Sequence, residues 1–133
     1  MDTDGAIFPF ASELIDASLL FLRLWLALLF GWSGWAHVTH PRERAESIGL
    51  PPAATFVLGI VEMTASILFV LGFLDQVGAL LLLGVMGGAI FKKAFEWKTG
   101  FWGQGTSGWY YEVLYALGCF VIFATNGGAY GID

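Results

Sequence analysis

The chain is 133 residues long, 57% hydrophobic and only 13% charged, against roughly a quarter charged in ordinary soluble domains. With a mean hydropathy of +0.72, this excludes a dispersed soluble domain and predicts an integral membrane protein with no room for a separate soluble one. The net charge of −5 excludes a nucleic-acid partner, and the lone Cys119 excludes an intrachain disulfide, a paired-cysteine redox motif and a cysteine-built zinc or iron–sulfur site.

Four apolar runs follow in chain order, each long enough for a membrane helix and without the period-2 alternation of a strand. The first spans about 14–38, after acidic residues (Asp2, Asp4, Glu13, Asp16) that suit a retained span and not a cleaved signal. Its single interior charge is Arg23, and Ser12 is a candidate N-cap. The second, about 53–73, opens on Pro51 and Pro52, which suit a helix start, and carries one charge, Glu62. The third, about 77–95, is uncharged until Lys92 and Lys93. The fourth, about 110–125, begins after Trp109, contains Glu112 in its first turn and stops at Asn126-Gly127-Gly128.

Leu74-Asp75-Gln76 is too short for anything but a hairpin, whereas the connections 37–52 and 98–108 are longer and polar. The expected fold is therefore an all-α antiparallel four-helix bundle. Arg42, Arg44, Lys92, Lys93 and Lys98 fall on the long-connection side, which predicts that side to be cytoplasmic in the cell's inner membrane, with both termini outside.

Counted from the span ends, Arg23 and Glu62 each lie nine residues in, near the membrane midplane on neighbouring helices, and are expected to pair with each other. Their faces carry small residues, Ala27, Gly31 and Gly34 beside Arg23 and Thr55, Gly59 and Ser66 beside Glu62, so both point inward. A second cluster is expected at the cytoplasmic ends from His37, Lys92 or Lys93, Trp109, Tyr110 and Glu112, with Lys92 as a partner for Glu112.

Each feature also has a plainer explanation. Arg23 and Glu62 would serve as a structural ion pair, the aromatic residues as interface anchors, and Lys92 and Lys93 as snorkelling side chains. His37 and His40 lack a third ligand at suitable spacing, so no metal site is expected. Gly84 and Gly88 suit close packing inside the bundle, with homo-oligomerisation as the alternative. Cys119 suits a small buried apolar residue.

These elements together resemble the DoxX family of small four-helix bacterial and archaeal membrane proteins. The resemblance rests on Leu22-Arg23-Leu24 followed by Leu29-Phe30-Gly31-Trp32-Ser33-Gly34-Trp35, and on Gly49-Leu50-Pro51 before the second helix. It continues through Glu62 to Gly72-Phe73-Leu74, Gly108-Trp109-Tyr110-Tyr111-Glu112, and the tail Gly127-Gly128-Ala129-Tyr130-Gly131-Ile132-Asp133. The tail departs from the family at Ala129, where a basic residue is usual, and at Gly131, where serine is common. The resemblance implies a link to membrane oxidoreductase systems. Among these are the small subunit of thiosulfate:quinone oxidoreductase, a protein needed for methylamine dehydrogenase maturation, and assemblies that counter oxidative stress.

The leading expectation is an accessory subunit of a quinone-linked oxidoreductase, in which a quinone headgroup meets Arg23 and Glu62, no cofactor is covalently held, and other membrane or peripheral subunits are partners. With no electron carrier evident in the chain, it would be at most a non-autonomous subunit of such an enzyme. The alternative is a structural or assembly subunit with no redox role. A small transporter is the weaker third reading, because each span offers only one or two polar residues.

Overall fold

In a bilayer, unpaired backbone groups are costly, so a long apolar run must close its hydrogen bonds within itself as a helix. The computed structural model describes residues 5–103 and 108–132; its regular elements are all helices, with no strand among the described residues. A short 3-10 segment, Pro9–Leu14, leads into α1, Ile15–Thr39. A short helix α2, Pro41–Ile48, precedes α3, Pro52–Leu71, and α4, Asp75–Phe91. A π-helical turn, Lys92–Glu96, then prolongs α4, and α5 is Tyr110–Thr125. Three of these are long and apolar enough to cross a membrane: α1 with its 3-10 lead, α3, and α4 with its π turn. Helix α5, at 16 residues, would be ~24 Å long.

The punctuation follows the sequence. Pro41 and Pro52 occupy first-turn positions of α2 and α3, where their missing N–H groups cost nothing. Gly49 (φ 72°) and Gly72 (φ 66°) end the same two helices in the left-handed conformation, and Asn126 (φ 54°) ends α5. Ser12 does not cap α1. It lies in the 3-10 turn, and its hydroxyl donates to the Pro9 carbonyl at 3.0 Å.

The buried residues of α1 (Leu19, Arg23, Leu26, Ala27, Phe30, Gly34, His37) form one stripe, and those of α3 (Thr55, Gly59, Glu62, Ala65, Ser66, Phe69) form another. Large apolar side chains such as Phe21, Trp25, Leu28, Trp32 and Trp35 point outward instead, with Trp32 77% exposed. Polar residues inside and aromatic ones outside are the arrangement expected of a membrane protein whose surroundings are lipid.

The α1–α3 seam sets the register. Gly31 lies against Ser66, Gly34 against Gly59 and Met63, and Gly59 against His37 and Val38. A Cβ at Gly34 would come within 2.8 Å of the Gly59 carbonyl, and one at Gly59 within 2.7 Å of the Gly34 carbonyl, so the two backbones touch as in other small-residue membrane contacts. Gly84, Gly87 and Gly88 behave oppositely: nothing lies within 4 Å of a Cβ built on any of them. These three glycines therefore do not serve packing inside the molecule, unlike Gly78, which lies against Phe69. Its inward stripe is Asp75, Gly78, Ala79, Leu82 and Met86. Cys119 is fully buried in the apolar core, as its plainer reading required.

Candidate functional site

The α1–α3 contacts fix what each buried charge can reach. Carried along the register of Gly31 with Ser66 and Val38 with Gly59, Arg23 falls opposite residue 74 and Glu62 opposite residue 35. Twelve residues of α1 separate those levels, or ~18 Å of helix axis. The expected Arg23–Glu62 pair is therefore not made. Arg23 lies instead at the end where α3 turns into α4, and its Nη1 donates to Asp75 Oδ2 at 3.1 Å.

That end of the molecule is tied together by the tail. Arg23 Nη2 donates to the Tyr130 carbonyl, the Ala129 amide to Asp16 Oδ1 at 3.0 Å, and the Ile132 amide to the Leu71 and Gly72 carbonyls at 3.2 Å each. Gly127 has no room for a side chain, because a Cβ there would fall on the Asp75 carboxylate. Arg23 and Asp75 are each 1% exposed, so a cation and an anion that would be prohibitive alone are sealed as a hydrogen-bonded pair. Asp75 is what the sequence reading missed. It stands in the first turn of α4 and looks like an ordinary hairpin residue, and only the register of α1 on α3 brings Arg23 to it. Asp133 and the first four residues lie outside the described residues.

Glu62, 3% exposed, is held differently. The Ser33 hydroxyl hydrogen-bonds its carboxylate, and the charge of Arg44, on α2, acts on it. The Ser66 hydroxyl donates to the backbone carbonyl of Glu62 at 2.8 Å. No ion pair to Glu62 occurs among the described residues, in contrast to Arg23, Lys93 and Glu112. His37, also 3% exposed, belongs to the same group: its Nδ1 donates to the Ser33 carbonyl at 2.6 Å, and Arg44 acts on it too. Arg44 Nε is buried without a hydrogen-bond partner.

The expected cytoplasmic-end cluster does not assemble as one group. His37 faces α2 and α3, as just described. Lys92 donates to the Gly49 carbonyl at 3.1 Å and to Glu96 at 3.0 Å, not to Glu112. Lys93 takes that place, with Nζ 2.6 Å from Glu112 Oε1 and 2.6 Å from the Tyr111 hydroxyl, and 4.2 Å from the Tyr111 ring centroid. Lys93 lies seven residues beyond Met86, on the inward stripe of α4, whereas Lys92 continues the outward glycines 84 and 88. Trp109 and Tyr110 join Phe101 and Trp102 in an edge-to-face aromatic group, the Phe101 and Trp109 ring centroids being 4.8 Å apart. His40 is exposed, and its ring Nδ1 lies 2.8 Å from the Thr39 hydroxyl.

A quinone headgroup between Arg23 and Glu62 does not fit these positions. The two side chains stand at different levels, the Arg23 Nη atoms are taken by Asp75 and the Tyr130 carbonyl, and both side chains are buried. The apolar groove of about 330 Å3 between α1 and α5, lined by Leu22, Trp25, Leu26, Leu117 and Val121, has no charged group to fix a headgroup.

Neither a search of curated proteins nor one of solved structures yields a match. A family model does match, over residues 18–94, from the first turn of α1 to the π turn after α4. It takes in Arg23, His37, Glu62, Asp75, Lys92 and Lys93, and leaves out α5 and the tail. Since the match covers more than half of the chain, the protein belongs to the DoxX family.

Proposed function

We propose that this DoxX-family membrane protein is an accessory subunit of a quinone-linked oxidoreductase system, and that it contributes by holding a partner rather than the reacting group. In this reading α1, α3, α4 and α5 cross the cell's inner membrane as an antiparallel four-helix bundle. The carrying observation is that the ion pairs Arg23–Asp75 and Lys93–Glu112 are each completed within the chain, while the outward face is apolar and aromatic. Buried charges already answered from within stabilise one packing, and the apolar exterior is left for lipid and neighbouring helices.

Purification from the native membrane in mild detergent, followed by mass spectrometry of co-purifying chains and extractable quinone, tests this. Oxidoreductase subunits should accompany the protein, and quinone should follow those subunits when they are separated from it. A lone chain that brings down neither overturns the proposal.

The second reading, a structural or assembly subunit with no redox role, is favoured by the sealing of Arg23 under the tail. Depletion of the protein separates the two. An accessory redox role predicts a partner complex that remains assembled but loses quinone-dependent turnover, whereas an assembly role predicts that the complex itself disperses.

A further inference from the structure

Glu62 is the feature that the proposed function leaves unused. A carboxylate buried among membrane helices is costly unless paired or neutralised, and the other deeply buried carboxylates, Asp75 and Glu112, are each bound to a cation. Glu62 has a hydroxyl for its neighbour. It stands ten residues into α3 from Pro52, ~15 Å along the axis. Ser33 touches it, His37 stands one helical turn further along α1, and Arg44 faces both from α2. Because His37 Nδ1 donates to the Ser33 carbonyl, its Nε2 is the nitrogen that takes up or releases a proton.

The charged groups around Glu62 can be named for each packed element. Arg44 acts on it from α2, and His37 lies beside Gly59 on the α1 side. Lys93, Tyr111 and Glu112, the ionisable groups that α4 and α5 bury at this end, act on one another. Among the described residues no fixed cation is bonded to Glu62.

We propose that Glu62 is a proton-exchange site inside the membrane, served from the α2 side through His37. A proton from water on that side is taken by His37 Nε2 and passes to a Glu62 carboxylate oxygen, beside the Ser33 hydroxyl. The return path reverses these steps, and no electron moves.

Infrared titration of the full-length protein in liposomes tests this. The protonated-carboxyl C=O band should appear reversibly as the medium moves from about pH 9 to about pH 5. It should vanish in Glu62→Gln and shift in Glu62→Asp, both read alongside an unchanged helical circular dichroism spectrum. His37→Ala should slow deuterium exchange of that band by about tenfold or more. A wild-type protein with no reversible band, or a band that survives in both Glu62 variants, overturns the site. Exchange unaffected by His37→Ala overturns the route.

Discussion

Arg23 illustrates how far a buried charge can be understood from the sequence. Its inward face was legible, because Ala27, Gly31 and Gly34 recur at helical spacing beside it, and the same holds for Glu62 with Thr55, Gly59 and Ser66. Its partner was not, because depth counted from assumed span ends is insensitive to register, and the register is set by contacts at Gly34 and Gly59 far along the chain. The consequence for stability can be measured. Removing one member of a buried pair strands the other, so Arg23→Met or Asp75→Asn should each cost about 3–5 kcal/mol. The double variant Arg23→Met with Asp75→Leu leaves no stranded charge and should recover much of that loss. Reversible unfolding in detergent, followed by helical circular dichroism, reads these differences. A double variant as unstable as the sum of the singles would show that the pair is not an isolated unit, and the Tyr130 carbonyl would then be the group left without its donor.

At the scale of elements, glycine has two opposite uses. On the α1–α3 seam it lets backbones touch, and Gly59→Ala drives a Cβ to 2.8 Å from His37 Cβ and closer to the Gly34 carbonyl, which should cost about 1–3 kcal/mol by overpacking. On the outward face of α4, Gly84→Ala meets nothing within 4 Å and should raise stability by up to ~1 kcal/mol through helix propensity alone. Unfolding of the two variants side by side checks the contrast. The long helices and their ends were readable, since prolines and glycines mark them. The short α2, the 3-10 lead and the π turn were not, because one or two turns carry too little hydrophobic pattern to register. The lysine exchange follows from the same limit. Position 93 continues the inward stripe of α4 and position 92 the outward one, yet the glycines at 84 and 88 suggested the reverse. Lys93→Met should therefore destabilise by about 2–3 kcal/mol, leaving Glu112 buried without its cation, whereas Lys92→Met, whose partner Glu96 is half exposed, should change stability by less than about 1 kcal/mol.

For the whole molecule the distribution of charge sets direction. Arg42 and Arg44 on α2 and Lys92, Lys93 and Lys98 after α4 gather at one end, where the Lys92 ammonium reaches the Gly49 carbonyl. The Arg23–Asp75 pair, the α3–α4 turn and the tail share the other. In the proposed orientation this basic side is the cytoplasmic one, because an excess of basic residues favours retention there. Cys119 is fully buried in the core and serves as a silent background for labelling. A cysteine introduced at Ala129, exposed on the tail, should react with a membrane-impermeant maleimide added to intact cells, and one at Ser47, exposed on α2, should react only after the membrane is opened. The reverse pattern would overturn the orientation. Orientation also bears on Glu62, because His37 and Arg44 lie on the α2 side of it. The side on which Ser47 is labelled is the side whose pH Glu62 must follow, so the infrared titration repeated in liposomes of known sidedness should track the pH of that compartment and ignore the other.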